Sequence, residues 1–294
     1  MLRGTVGRHR LLVFYLLAYT LSWVPGFAYG MLAARGPFAS PLVPVLLLLA
    51  ASYGPTLAAL LALALLREPG ETRAFRHHLG TWRGGIGWYA LALLLPAALW
   101  AAGSLLADTL FGGGVAFMPA AAAAFPALLL ANAGEEIGWR AFAFPHLLAR
   151  WRPLAASLVF GALWAGIHLP LYVAAIERFA ILVPLFLGLS VLMAWIYLHT
   201  GQGVLPMLLF HGSLDTVQFV LPLSQAAQAT QGTLAFAAVA AVSVVAAALV
   251  LWRTGGDLGL GRVDGARGAL TGAAAGLLPS HGAPRPPSGD EAGR

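Results

Sequence analysis

Asn132-Ala133-Gly134-Glu135-Glu136-Ile137-Gly138-Trp139-Arg140 places two adjacent carboxylates and an arginine within or at the edge of an otherwise apolar helical run. A charge near the centre of a bilayer costs roughly 2.5–3.5 kcal/mol even on lenient insertion scales. Two such residues side by side are therefore expected to be shielded, paired and used. Two later stretches repeat the anomaly: Trp164-Ala165-Gly166-Ile167-His168 and His211-Gly212-Ser213-Leu214-Asp215. The expectation is that the three meet in the membrane as one hydrolytic site.

The surrounding composition sets that stretch in a lipid-facing chain. Hydrophobic residues make up 60% of the 294 positions and charged residues only 10%, far from soluble globular averages. At about 20 residues per span, the chain predicts an all-α, polytopic transmembrane helical bundle of about eight spans with a disordered tail. The formal charge of +6 comes from arginine, because there is no lysine. The arginines are scattered over loops without interleaved aromatics, so no nucleic-acid partner is expected. With no cysteine, disulfides, thiol catalysis and Cys-ligated zinc are excluded.

Read in order, the spans fall at about Leu11–Ala34, Leu42–Leu66, Ile86–Ala107, Ala120–Leu148, Leu154–Ala175, Phe179–Leu198, Val204–Leu221 and Leu234–Trp252. The first is longer than the 7–15 apolar residues of a signal peptide, so it reads as a retained span. Pro25 and Gly26 are expected to bend it, and Tyr53-Gly54-Pro55 to kink the second. Arg67 to Arg83 reads as a solvated polar loop, with His77-His78 in it. Residues 1–252 form the membrane domain. From Arg253 onward 15 of 42 residues are Gly or Pro, so 253–294 reads as a disordered cytoplasmic tail. Eight spans put both termini on one side. Fourteen of the 17 arginines would share that side, and the positive-inside rule makes it cytoplasmic. The chain reads as an integral membrane protein of a prokaryotic plasma membrane.

The polar stretches can meet. With Arg150–Pro153 as the tip of a helical hairpin, Glu135 and His168 each lie about 16 residues from its centre. At 1.5 Å per residue both sit on the order of 24 Å from the turn, level on neighbouring antiparallel helices. His211 and Asp215, four apart, share one helix face. So do Glu136 and Arg140, which can pair. Two adjacent carboxylates cannot both ionise cheaply in a low dielectric, which suits one of them to serve as a general base for water. Singly, each residue has a plainer use. His168 could hydrogen-bond between helices, Arg140 could snorkel, and Asp215 could merely partner His211.

The order Glu135-Glu136-xxx-Arg140, aromatic-xxx-His168, His211-xxx-Asp215 resembles the CPBP family of intramembrane proteases, which covers CAAX prenyl endopeptidases, bacteriocin-processing and abortive-infection proteins. The similarity runs over about 119–222, the motif-bearing core. It implies a helical bundle with a water-filled cavity, in which the residues matching Glu135 and His168 activate water. Those matching His211 and Asp215 would stabilise the oxyanion, with Glu136, Arg140 and Trp164 in support. Two departures stand out. Trp164 replaces the family's usual Phe, and Asp215 replaces the Asn of CAAX-cutting members. An ionised aspartate would repel an oxyanion, so Asp215 must be protonated, orient His211 or help hold a metal. Glu135, His168 and His211 could form an N,N,O set for a divalent metal such as zinc, which would make the chain a metalloprotease. Glutamate-activated water without a metal is equally open.

The resemblance implies an intramembrane endopeptidase acting on peptide or membrane-protein substrates in the lipid bilayer. No HExxH is present. Gly188-Leu189-Ser190 weakly resembles a rhomboid serine motif but leaves both glutamates unexplained. From other classes, a proton- or cation-coupled transporter would use intramembrane Glu, His and Asp as a relay, and an inert scaffold of protease fold would need none of them for its role.

Overall fold

The computed structural model describes residues 9–112, 114–173, 176–222 and 230–260. Among them the regular structure is entirely helical: α1 (Arg10–Ala33), α2 (Leu42–Ser52), α3 (Gly54–Leu66), α4 (Pro69–Gly80), α5 (Ile86–Phe111), α6 (Phe125–Gly138), α7 (Phe144–Leu148), α8 (Pro153–Ile167), α9 (Ile176–His199), α10 (Leu205–Val220) and α11 (Thr230–Thr254). Among the described residues, five segments are long and apolar enough to cross a membrane: Arg10–Ala33, Leu42–Leu66, Ile86–Phe111, Arg178–His199 and Thr233–Thr254. The protein is an integral membrane protein. The remaining expected spans are shorter or interrupted, and these carry every polar stretch. Irregular or short helices at membrane depth are tolerated where protein rather than lipid surrounds them.

Local chemistry explains where helices break. The second expected span divides at Tyr53, whose backbone lies between α2 and α3, with Pro55 in the first turn of α3. Pro25 sits inside a continuous α1. The fourth span is a relay: a 3-10 turn (Pro119–Ala124), α6, a π-helical turn (Trp139–Ala143) and α7. The fifth stops at Ile167, followed by a 3-10 turn over Leu169–Tyr172 that contains Pro170. His168 therefore caps α8 instead of lying within a longer helix.

The segment expected to be a solvated loop is helical from Pro69 to Gly80. Pro at the first turn and Glu71 beside it suit a helix and its dipole. Phe75 is buried, and His78 donates from Nδ1 to the Gln202 carbonyl at 2.9 Å. Burial pushes the His78 imidazole below its ordinary range, so it docks in the neutral form. Glu71 joins this helix to Arg10 of α1 and to His146 Nε2 of α7, the latter at 3.1 Å.

α6 lies between α3 and α10, α8 packs on α9, and α11 packs on both α5 and α9. The α3–α6 crossing is close enough that a Cβ on Gly138 would collide with the backbone of Pro55, and one on Gly134 would come within 2.6 Å of the Tyr53 ring. This four-residue glycine spacing lets two helix backbones approach, and Thr56 seals it by donating to the Gly134 carbonyl at 2.7 Å. Gly138→Ala is accordingly expected to lower the yield and melting temperature of detergent-solubilised protein, because backbone rather than a mobile side chain must move. An unchanged melting curve would contradict this account.

Beyond α11 the chain turns back on the bundle. Leu154 N–H donates to the Gly256 carbonyl, Arg152 makes two hydrogen bonds to Asp257, and Leu258 is fully buried. The rest of the expected tail, from 261 onward, lies outside the described residues. So do Arg3 and Arg8.

Candidate functional site

The site is built on three α-helices and a π turn. α6 supplies Asn132, Glu135 and Glu136, and the π turn that follows supplies Arg140. The end of α8 supplies Trp164 and His168, and α10 supplies His211 and Asp215.

Trp164 is the hub. Its indole N–H donates to Glu135 Oε2 at 3.0 Å, fixing one carboxylate oxygen. Its ring stands edge-on to His211, with centroids 5.2 Å apart, and to His168 at 6.2 Å. Burial of the whole residue makes this placement rigid. An Nε1–H is what Phe at this position lacks, so the aromatic exchange noted in the sequence adds a hydrogen bond to Glu135.

His168 Nδ1 lies 2.8 Å from the Trp164 carbonyl. A carbonyl can only accept, so Nδ1 carries the proton and Nε2 is left with its lone pair. His168 and Glu135 line the same cleft, together with Ser22 and Gly26 of α1, Leu48 of α2 and Pro55 of α3. The cavity in this cleft is about 50 Å³ and is partly open. A base-capable imidazole and a carboxylate thus share one mostly apolar hollow.

On the inner side Glu136 and Arg140 are completely buried. Arg140 Nε donates to Glu136 Oε2 at 3.1 Å, and His211 Nδ1 lies 3.0 Å from Oε1. Glu136 therefore takes two partners where the sequence suggested only Arg140. The guanidinium carbon of Arg140 stands 4.1 Å from the Phe160 centroid and 5.0 Å from that of Phe144, and Nη2 reaches the Met193 sulfur. Arg140 does not snorkel: it is enclosed by aromatic faces, an arrangement that favours a guanidinium. The π turn brings its carbonyl to the Tyr197 hydroxyl, which donates at 2.8 Å. Single π turns inside α-helices often occur at functional sites.

His211 Nε2 is 3.9 Å from Asp215 Oδ2, too long for a hydrogen bond. Asp215 is instead held by Asn132, whose Nδ2 donates to Oδ2 at 2.9 Å, with Gln218 Nε2 at 3.4 Å from Oδ1. Both neighbours present amide donors to it, so the carboxyl acts as an acceptor.

The metal set Glu135, His168 and His211 is not assembled. Among the described residues no three His, Asp or Glu side chains are grouped so as to hold a metal ion. Glu135 is tied to Trp164 through Oε2 and His211 to Glu136 through Nδ1. Ser190, of the rhomboid-like triplet, is fully buried and donates to the Ser157 carbonyl at 2.7 Å, a helix-packing contact.

Three features escaped the sequence reading. Asn132 opens the key stretch but carried no assigned role; an amide in an apolar helix three residues before Glu135 was its signal. Gly134 and Gly138, four apart, were the signal for the α3 crossing. Tyr197 had none, since it sits in an apolar span with no neighbouring polar residue in sequence.

Residues 117–217 match the model of a family described as Type II CAAX prenyl endopeptidase Rce1-like. A curated CAAX prenyl protease 2 of Methanococcus maripaludis is 28% identical over 178 residues, covering 54% of this chain and 63% of the relative. The chain thus covers less than two thirds of that relative's length. The matched region contains Glu135, Glu136, Arg140, Trp164, His168, His211 and Asp215. Over residues 117–217, which hold the whole polar cluster, the chain is similar to the Rce1-like family of Type II CAAX prenyl endopeptidases.

Proposed function

We propose that the protein is an intramembrane endopeptidase that hydrolyses peptide bonds of membrane-associated substrates with water activated by Glu135 and His168. The observation that carries this reading is the pairing, in one cleft, of a carboxylate fixed by an indole N–H with an imidazole whose Nε2 lone pair is left open. Glu135 takes a proton from a water held against His168 Nε2, and the hydroxide adds to the scissile carbonyl. His211 acts as an imidazolium: its Nδ1–H is held by the Glu136 carboxylate, and its Nε2–H is offered to the oxyanion. Collapse of the tetrahedral intermediate passes the proton to the leaving amine. Such preorganised donors contribute much of the barrier lowering in acyl transfer.

Asp215 fits a charge set beside the His211 imidazole, 3.9 Å from Nε2, better than direct contact with the oxyanion, because amide donors from Asn132 and Gln218 already use its oxygens as acceptors. Asn132→Asp would set two carboxylates against each other and is expected to lower kcat by roughly tenfold or more. The exchange Asn132→Asp with Asp215→Asn keeps one amide facing one carboxylate and should recover most of that loss. A double variant as slow as the single one would remove Asp215 from the site.

The relative's name suggests a substrate class: membrane-associated peptides carrying a prenylated CAAX terminus. The apolar walls contributed by Leu48, Ile167 and Leu171 suit a lipid-like group beside the scissile bond. The experiment is to incubate purified protein with membrane-anchored peptides, prenylated and plain, with and without a chelator, and read products by mass spectrometry. Cleavage insensitive to chelator supports the reading. Chelator-sensitive cleavage would overturn metal-free water activation. Binding without cleavage across the set would favour a scaffold, and ion flux without products would favour a transporter.

A further inference from the structure

The helix that replaces the expected 67–83 loop has two faces. Glu71, Phe75 and His78, spaced three and four apart, turn inward: Glu71 pairs with Arg10 and His146, Phe75 is buried, and the His78 carbonyl accepts from Val204 N–H at 3.1 Å. Arg73, Arg76 and His77 lie on the outward face and are exposed. Arg67 and Arg83, also exposed, flank the helix where α3 ends and α5 begins. Leu79, Trp82 and Ile86 stand out beside them, Trp82 being 77% exposed. Tryptophan with arginine at a helix end is the chemistry of the headgroup layer.

Charge pairing on this rim is lopsided. Glu68 and Glu71 are taken by Arg10, and Asp257 by Arg152. Among the described residues no carboxylate is paired with Arg67, Arg73, Arg76 or Arg83. Two exposed guanidinium groups therefore lie on, and two more with an exposed indole lie beside, a helix that joins two membrane spans and is held to the bundle by its inner face.

We propose that α4 and its flanks, Arg67 to Ile86, form a docking surface for the headgroups of anionic phospholipids in the adjoining leaflet. The arginines engage phosphate, which their planar guanidinium groups match in geometry, and Trp82 with Ile86 sits at the boundary of the acyl region. This surface lies apart from the Glu135–His168 cleft and operates whatever chemistry occurs there.

The test uses the full-length protein in nanodiscs of equal phosphatidylcholine and phosphatidylglycerol. After mild re-extraction, the lipid that stays with the protein is quantified by mass spectrometry. Wild type is expected to retain phosphatidylglycerol several-fold over phosphatidylcholine, since each arginine near an anionic surface favours it by roughly fivefold. The triple change Arg73→Gln, Arg76→Gln, Arg83→Gln, which leaves Arg67, should cut that ratio several-fold, whereas the three Lys replacements should keep most of it. Arg35→Gln, in the connection between α1 and α2, should leave it unaltered. These side chains are exposed, so folding is expected to survive, and the melting temperature checks this. The proposal is overturned by an even lipid ratio in wild type, by a ratio unchanged in the triple Gln variant, or by displacement of the lipid with millimolar inorganic phosphate.

Discussion

Glu135→Gln is expected to lower kcat by ~10³-fold, within the range of about 10²–10⁴ that a positioned general base contributes, while KM and melting temperature stay close to wild type. The reasoning rests on the Trp164 contact. The indole N–H donates to Glu135 Oε2, and the carbonyl oxygen of glutamine can accept the same hydrogen bond, so geometry is kept and only the ability to take a proton is removed. Trp164→Phe makes the converse change. It keeps the ring against His211 and His168 but leaves the carboxylate untethered, and its expected effect is smaller, roughly tenfold, as for loss of orientation without loss of the base. Progress curves with a membrane-anchored peptide would separate the two. If Glu135→Gln cleaved within about threefold of wild type, Glu135 would not be the base. A melting temperature lowered in step with kcat would instead mean that its role is structural.

The difference between what could be read from the chain and what could not follows from the range of each interaction. The all-helical class and the grouping of the three polar stretches were legible, because hydropathy and i, i+4 spacing are local. The 3.6-residue period places Glu136 and Arg140 together, and they do pair at 3.1 Å. The sequence reading did not show that Glu136 also receives His211, 75 positions away, or that Trp164 tethers Glu135. Both depend on how α6, α8 and α10 cross. The α4 helix was read as a loop because its composition is polar. Its stability comes from Phe75, Glu71 and His78 docking on partners distant in sequence, and local propensity cannot register that. Asn132 illustrates the same limit: its neighbours in sequence are apolar, and its partner is Asp215 on α10.

That long-range triad leads to the second large effect. Glu136→Leu is expected to be among the most destabilising single changes in the bundle. Arg140 and Glu136 are both completely buried and His211 nearly so. Removing one partner of a buried ion pair costs about 3–5 kcal/mol, because the other charge stays desolvated and unmatched. Here the leucine also strips the acceptor from His211 Nδ1. Arg140→Met should cost less, since Glu136 keeps its contact with His211 and methionine fills the space between Phe160 and Phe144. Combining the two replaces the pair with apolar side chains of similar volume, which is often close to neutral. The double variant should therefore melt above the Glu136→Leu single variant. It should nevertheless remain poorly active, because His211 is no longer anchored and its Nε2–H loses its aim at the oxyanion. Stability and catalysis would thus separate in one cycle, read by thermal unfolding in detergent and by cleavage rate. If the double variant were as unstable as the sum of the singles, Glu136 and Arg140 would be acting independently. If activity returned along with stability, the Glu136–His211 contact would have no part in positioning the imidazole, and His211 would be held in place by Trp164 alone.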